Sequence, residues 1–168
     1  MQLDNLELMV PAFSEEPWNE SQALGAAVWL WMHSASHRDV PLHTLNALLL
    51  PAIANRQFII GYEHGRPVFY AAWAWFSVDA EQRYLQNPAI SLSAPDWNSG
   101  ERLWFLDWVA PFGHSARLAR LVQRHLFADS RFSALYHRGN ERGLRVKRFQ
   151  GAGLARTQPP TAAIARHP

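Results

Sequence analysis

The sequence predicts an α+β domain, a single mixed β-sheet flanked by helices, and three observations lead there. An apolar stretch with helical period follows Asn19, and a second apolar run opens at Pro41. Two β-rich runs, 57–62 and 68–76, are joined by EHGRP in the manner of a hairpin. A third, WFLDWVAPFG from Trp104 to Gly113, has the aromatic and β-branched content of a strand buried on both faces. With no internal repeat and 168 residues, one domain with helices packed on one sheet is the simplest architecture.

Taken in order, residues 1–18 carry Pro11 and Pro17 and no sustained period, and read as a loose leader. Leu24, Ala27, Val28 and Trp31 then fall at i, i+3, i+4 and i+7, one face of a helix capped at Asn19 or Ser21 and ending near His33. Pro41 suits the first position of a second helix, which Pro51 kinks or ends. In the hairpin's second strand, Trp73 and Trp75 share one face, and Ala72, Ala74 and Phe76 the other. AEQRYLQ reads as a short exposed helix, and PAISLSAPDWNSG as loop. After the central strand, Ser115 caps an amphipathic helix with Leu118, Leu121, Val122 and Leu126 on its apolar stripe. FSALYHR and LRVKRFQ are two strands turning at Gly139-Asn140. The domain proper is 19–151, and the Ala/Pro/Arg-rich 152–168 reads as a disordered tail.

Composition narrows the function. There is no cysteine, so neither disulfides nor thiolate metal sites are expected, and no HExxH-like spacing offers zinc a site. The acidic N-terminus lacks a signal-peptide pattern and no apolar run is long enough to span a bilayer, so a cytoplasmic location is expected. Lys147 is the only lysine among 16 basic residues, and the arginines concentrate between Arg117 and Arg148. That end suits an acidic partner: an acidic carrier protein, a phosphopantetheine group or nucleic acid. An arginine bias inherited from genome composition would look the same.

The chemistry centres on Asp107. A carboxylate inside an apolar strand must be paired, hydrogen-bonded or solvated at a cleft. It is either a structural ion-pair partner or the group that orients a base. Of eight histidines, His64, His125 and His167 sit in turn, helix surface and tail, and His114 reads as turn. His33 and His37 bracket the polar SASHR loop after the first helix, where Ser-x-x-His against a carboxylate would make an acid–base arrangement.

DWNSGERLWFLDWVAPFG (96–113), with WLWMHSASHRDVP (29–41), LLLPAI (48–53), RPVFYAAWA (66–74) and RVKRFQG (145–151), resembles the toxin-activating lysine acyltransferases. These are small cytoplasmic proteins that fatty-acylate RTX protoxins in Gram-negative bacteria. The resemblance runs from about Leu24 to Gly151. It implies a GNAT-like acyltransferase fold, a homodimer, no permanently bound cofactor, and acyl–acyl carrier protein as donor. It implies transfer to internal lysines of an RTX protoxin, with His37 and Asp107 as the catalytic pair and Ser34 and Gly25 as substrate-positioning residues. A lysine amine must lose its proton before attacking a thioester, so His37 as base and Asp107 as its orienting acid fit the chemistry. An acyl-imidazole on His37 is the second mechanism. Backbone N–H groups near Pro111 to His114 are candidates to hold the oxyanion.

The absence of a Gly-rich pyrophosphate loop agrees with a donor that carries no adenosine diphosphate. Three departures from the family pattern stand out. Leu48 occupies a position where Asn is expected, with Asn46 nearby. His114 follows PFG, and the tail carries Pro159-Pro160 where relatives continue as a helix. These motivate an alternative, a non-catalytic carrier-protein or protoxin binding module derived from that family. Retention of His37 and Asp107 argues against it. A nucleic-acid partner and a membrane span are not expected.

Overall fold

The computed structural model describes residues 1–3, 5–136 and 145–157. One seven-stranded sheet runs in the order of the chain: β1 (Gln2–Leu3), β2 (Leu6–Met9), β3 (Phe58–Glu63), β4 (Arg66–Phe76), β5 (Arg102–Val109), β6 (Arg131–Tyr136) and β7 (Arg145–Gln150). All neighbours are antiparallel except β5 and β6, which are parallel, so the sheet is mixed as expected. Parallel neighbours need a long crossover. It is supplied by α5 (Ser115–Leu121), which continues as a π-helical turn, Val122–Leu126.

Helix α1 (Glu20–Met32) is capped by the Asn19 side chain, which accepts from the Gln22 N–H. It lays Ala23, Ala27, Leu30 and Trp31 on one face of the sheet, against Phe58, Tyr70 and Ala72. The second helical run is broken into a 3₁₀ turn (Leu42–Thr44), α2 (Leu45–Leu48) and α3 (Leu50–Ala54). Pro51 has no N–H to donate backwards, so the helix stops at Leu48 and restarts after Leu49 with the proline in its first turn. The β3–β4 turn is His64-Gly65, both with positive φ (51° and 75°), the backbone that matches hairpin twist. The strand alternation holds. Ala72, Ala74 and Phe76 join the α1-side core, while Trp73 joins the core under α5 with Leu103, Phe105 and Leu118.

Four expectations need correction. Residues 1–18 are not all loose, because Leu6–Met9 pairs with β3 and buries Leu6, Leu8 and Val10; the period-2 signal was only one short strand long. The segment after β4 is more structured than a surface helix and a loop. Helix α4 (Val78–Gln86) buries Ala80 and Tyr84, and the following 3₁₀ turns, Ala89–Ser91 and Ala94–Trp97, bury Asp96 and Trp97. Ser115 does not cap α5; its Oγ instead accepts a 2.9 Å bond from Trp108 Nε1. The tail does begin with a helix, α6 (Ala152–Thr157), so the missing-helix departure falls away over those residues. The turn at Gly139-Asn140 and residues 158–168 lie outside the described residues.

Two features position the site. β5 and β6 pair only through Leu103↔Phe132, Trp104↔Ser133 and Phe105↔Ala134, although both strands continue beyond. They therefore part after Phe105. In addition, the β4–β5 register shifts so that Ala72 faces Asp107 and Trp73 faces Phe105, leaving Leu106 as an extra residue. This is a β-bulge, which re-aims side chains.

Candidate active site

The bulge decides where Asp107 goes. Strict alternation from Phe105, which lies in the α5-side core, would send Leu106 to the α1 face and Asp107 back to the α5 face. Instead Leu106 and Val109 both pack on the α1 side and Trp108 on the α5 side. The extra residue lets Asp107 share the α1 face with Leu106. There it meets the C-terminal turn of α1 and the loop that follows.

Three donors surround the carboxylate. His37 Nε2 stands 3.0 Å from Oδ1, Trp31 Nε1 donates to Oδ2 at 2.8 Å, and the Trp108 N–H donates to Oδ1 at 2.8 Å. The Asp107 side chain is 9% exposed and that of His37 22% exposed. A largely buried carboxylate with all these donors is a satisfied one. A carboxylate only accepts, so the proton of neutral His37 sits on Nε2 and the lone pair on Nδ1. Nδ1 faces the hydroxyls of Ser34, at 2.8 Å, and Ser36, at 2.9 Å. The Trp31 indole lies against the imidazole, ring centroids 5.0 Å apart.

This constellation opens on a cleft of about 750 Å³, formed where β5 and β6 separate. Phe105, Leu106, Ala119, Phe132, Leu135 and Phe149 give it apolar walls. Such a volume is that of a small-molecule site rather than a packing void. Tyr84 also lines it; burial, and then the charge of Asp107, pushes its hydroxyl well above the usual tyrosine range, so it stays a neutral wall. Among the described residues no group of three metal-ligating side chains comes together, and no helix is long and apolar enough to cross a membrane.

Of the residues singled out from the sequence, the structure brings His37, Asp107 and Ser34 together. Gly25 lies on the exposed side of α1, with open space where a Cβ would stand, and does not line the cleft. His33 binds the Trp29 carbonyl at 2.8 Å and stacks with Trp29 and Phe112, away from Asp107. The 111–114 turn does not line the cleft. His114 has a structural partner in Glu63, 3.4 Å away. Hydrogen bonds from Arg117 and His114 hold the Glu63 carboxyl below its usual range. Arg120, Arg124 and Arg131 are exposed, whereas Arg117 is engaged by Glu63 and Asn5. Leu48 packs on the α1-side core and Asn46 is exposed. Ser36 and Trp31 were missed. Ser36 was one more residue of the SASHR loop, and Trp31 looked like any apolar-stripe residue.

Residues 16–150 match the RTX toxin acyltransferase family. The chain is 36% identical over 131 residues to a protein-lysine myristoyltransferase of Kingella kingae, covering 78% of this chain and 77% of the relative. It is 38% identical over 136 residues to the RTX-I toxin-activating lysine-acyltransferase of Actinobacillus pleuropneumoniae, covering 81% and 78%. It is 38% identical over 141 residues to a protein-lysine palmitoyltransferase of Bordetella bronchiseptica, covering 82% and 75%. With the resemblance read from its motifs now met across most of its length, the chain belongs to the RTX toxin acyltransferase family.

Proposed function

We propose that this chain transfers a fatty acyl group from acyl–acyl carrier protein to the ε-amine of an internal lysine of an RTX protoxin, activating it. The observation that carries the reading is the His37–Asp107 pair opening into a largely apolar cleft. A long acyl chain needs an apolar wall, and a lysine nucleophile needs a base. The relatives' names, myristoyltransferase and palmitoyltransferase, are of that class.

The lysine enters as the neutral amine, its ammonium proton released to solvent, and His37 Nδ1 takes a second proton from the nitrogen as it attacks the thioester carbonyl, through Ser36 Oγ where that hydroxyl stands between them. Ser36 lines the cleft and Ser34 does not. The imidazolium then carries protons on both nitrogens, and Asp107 stabilises it through Nε2–H. Collapse of the tetrahedral intermediate forms the amide, breaks the carbon–sulfur bond and expels the carrier thiolate, which His37 reprotonates. Trp31 and the Trp108 N–H keep Asp107 in place throughout.

The donor's phosphopantetheine arm suits the gap between β5 and β6, and the exposed arginines around α5 suit an acidic carrier, a contact that salt weakens. A GNAT-like ancestry, a homodimer and a cytoplasmic site of action complete the proposal. The sheet with one parallel pair that parts at its centre supports the first of these. Intact-mass measurement of a protoxin fragment incubated with this protein and acyl-loaded carrier tests the reading. Gain of an acyl mass, lost with His37→Ala, is expected; no gain with the wild-type chain would overturn it.

A further inference from the structure

The cleft passes through the sheet. Because β5 and β6 part beyond Phe105 and Ala134, one cavity touches both faces. Tyr84, Ala89, Leu106 and Leu135 line it from the α1 side, and Phe105, Trp108, Phe132 and Phe149 from the α5 side. The two halves differ chemically. On the α5 side stand Ser115, Gln123 on the π-helical turn, and Lys147, whose ammonium lies 5.1 Å over the Phe149 ring. On the α1 side, apart from Ser36, His37 and Asp107, the polar side chains are the neutral Tyr84 and Asn87, and Asn87 already donates to the Arg83 carbonyl at 2.9 Å.

Resting on the acyltransferase reading above, we propose that the donor lies across the two halves, and that Ala89 sets the longest acyl chain admitted. The arm bears amides and a phosphate, and buried amides demand hydrogen-bond partners. Gln123 offers them, as does Ser115, whose hydroxyl accepts from Trp108 and still has its proton to donate. A methylene chain demands none and suits the half whose walls, apart from the catalytic candidates, carry only Tyr84 and Asn87 as polar side chains. The thioester carbonyl then sits where the halves meet, beside His37 and Asp107. From there the chain runs along Tyr84, Leu106 and Leu135 toward Ala89, all of which line the α1-side half. Ala89 opens a 3₁₀ turn and is half-buried against the α1-side core, so its methyl forms wall at small cost in space. A larger side chain there takes room from the chain's end, and each methylene excluded costs about fourfold in affinity.

The test compares Ala89→Leu and Ala89→Phe with Ala119→Phe, which narrows the α5-side half. Carrier protein is loaded in turn with octanoyl, dodecanoyl and hexadecanoyl chains, and transfer to a protoxin fragment is read by mass. Ala89→Phe should lower hexadecanoyl relative to octanoyl transfer by about 15-fold, the equivalent of two methylenes, and Ala89→Leu by less. Ala119→Phe should lower all three chains alike. An unchanged chain profile in both Ala89 variants, or a length shift produced by Ala119→Phe instead, overturns the proposal while leaving the acyltransferase reading standing. A wild-type chain that transfers none of the three removes that reading and the proposal with it.

Discussion

Asp107 Oδ1 meets His37 Nε2 at 3.0 Å, and the contact exists because a bulge at Leu106 turns Asp107 toward the end of α1. The geometry of this pair is thus a property of strand register as much as of the two residues. His37→Ala should abolish transfer. Asp107→Asn, which keeps the shape and removes the charge, should lower kcat by about 10³–10⁴, as loss of the orienting acid does in a triad. Both variants should keep the wild-type circular dichroism. Activity near wild type in either would remove the base assignment.

Trp31 is the indole that holds the second carboxylate oxygen, at 2.8 Å. Trp31→Phe keeps an aromatic ring in the α1 core and deletes one hydrogen bond to a buried charge. Such a bond contributes about 1.5–3 kcal/mol. Urea denaturation should show a loss in that range, and acyl transfer should slow about tenfold as Asp107 loosens. A variant as stable and as active as the wild type would mean that Trp31 serves packing alone.

Ser34 and Ser36 share Nδ1 of His37. If both only donate to its lone pair, each alanine variant alone should lose less than about tenfold. The double variant should lose more than the product of the two, since neighbours sharing a partner are not additive. Mass spectrometry of the trapped enzyme distinguishes this from nucleophilic serine. An acyl adduct on Ser34, with Ser34→Ala inactive, would replace base catalysis by a covalent route.

Much of this was legible beforehand. The hairpin, the alternation of β4, α1 and the parting of charged from apolar positions all follow from period and propensity. Asp107 stood out because a carboxylate in an apolar strand needs a partner; the polar loop offered both His33 and His37, and only the family resemblance singled out His37. The rest was hidden for physical reasons. β2 is too short for its alternation to register against flanking prolines. The Leu106 bulge is a property of two strands together, and no residue in β5 announces it. Trp31 reads as core because its carbon skeleton is core; only its Nε1 serves the site. The cleft needs β5 and β6 to diverge, a feature of tertiary structure with no local code.

Asp96 gives the fold an acid-sensitive clamp. It lies in the 3₁₀ turn Ala94–Trp97, 5% exposed, where it accepts from the Ser93 N–H at 2.9 Å and the Ser93 hydroxyl at 2.8 Å, and pairs with Arg83 of α4. Burial by itself would raise its carboxyl. The Arg83 hydrogen bond, followed by the Ser93 bonds, outweighs burial and holds it below the ordinary 3.8. A group whose pKa is depressed on folding binds its proton more readily in the unfolded chain. Its stabilisation is therefore complete above the unfolded value and drains as pH falls from about 3.8 through the lower folded value. Arg83 is half-exposed, so solvent trims the contribution. Asp96→Asn should be less stable than the wild type near neutrality, and the difference should shrink as pH drops through that window. Denaturant titrations at stepped pH measure it. A gap between the two proteins that stays constant down to pH values below the folded one would mean that Asp96 acts through its hydrogen-bonding shape and not through its charge.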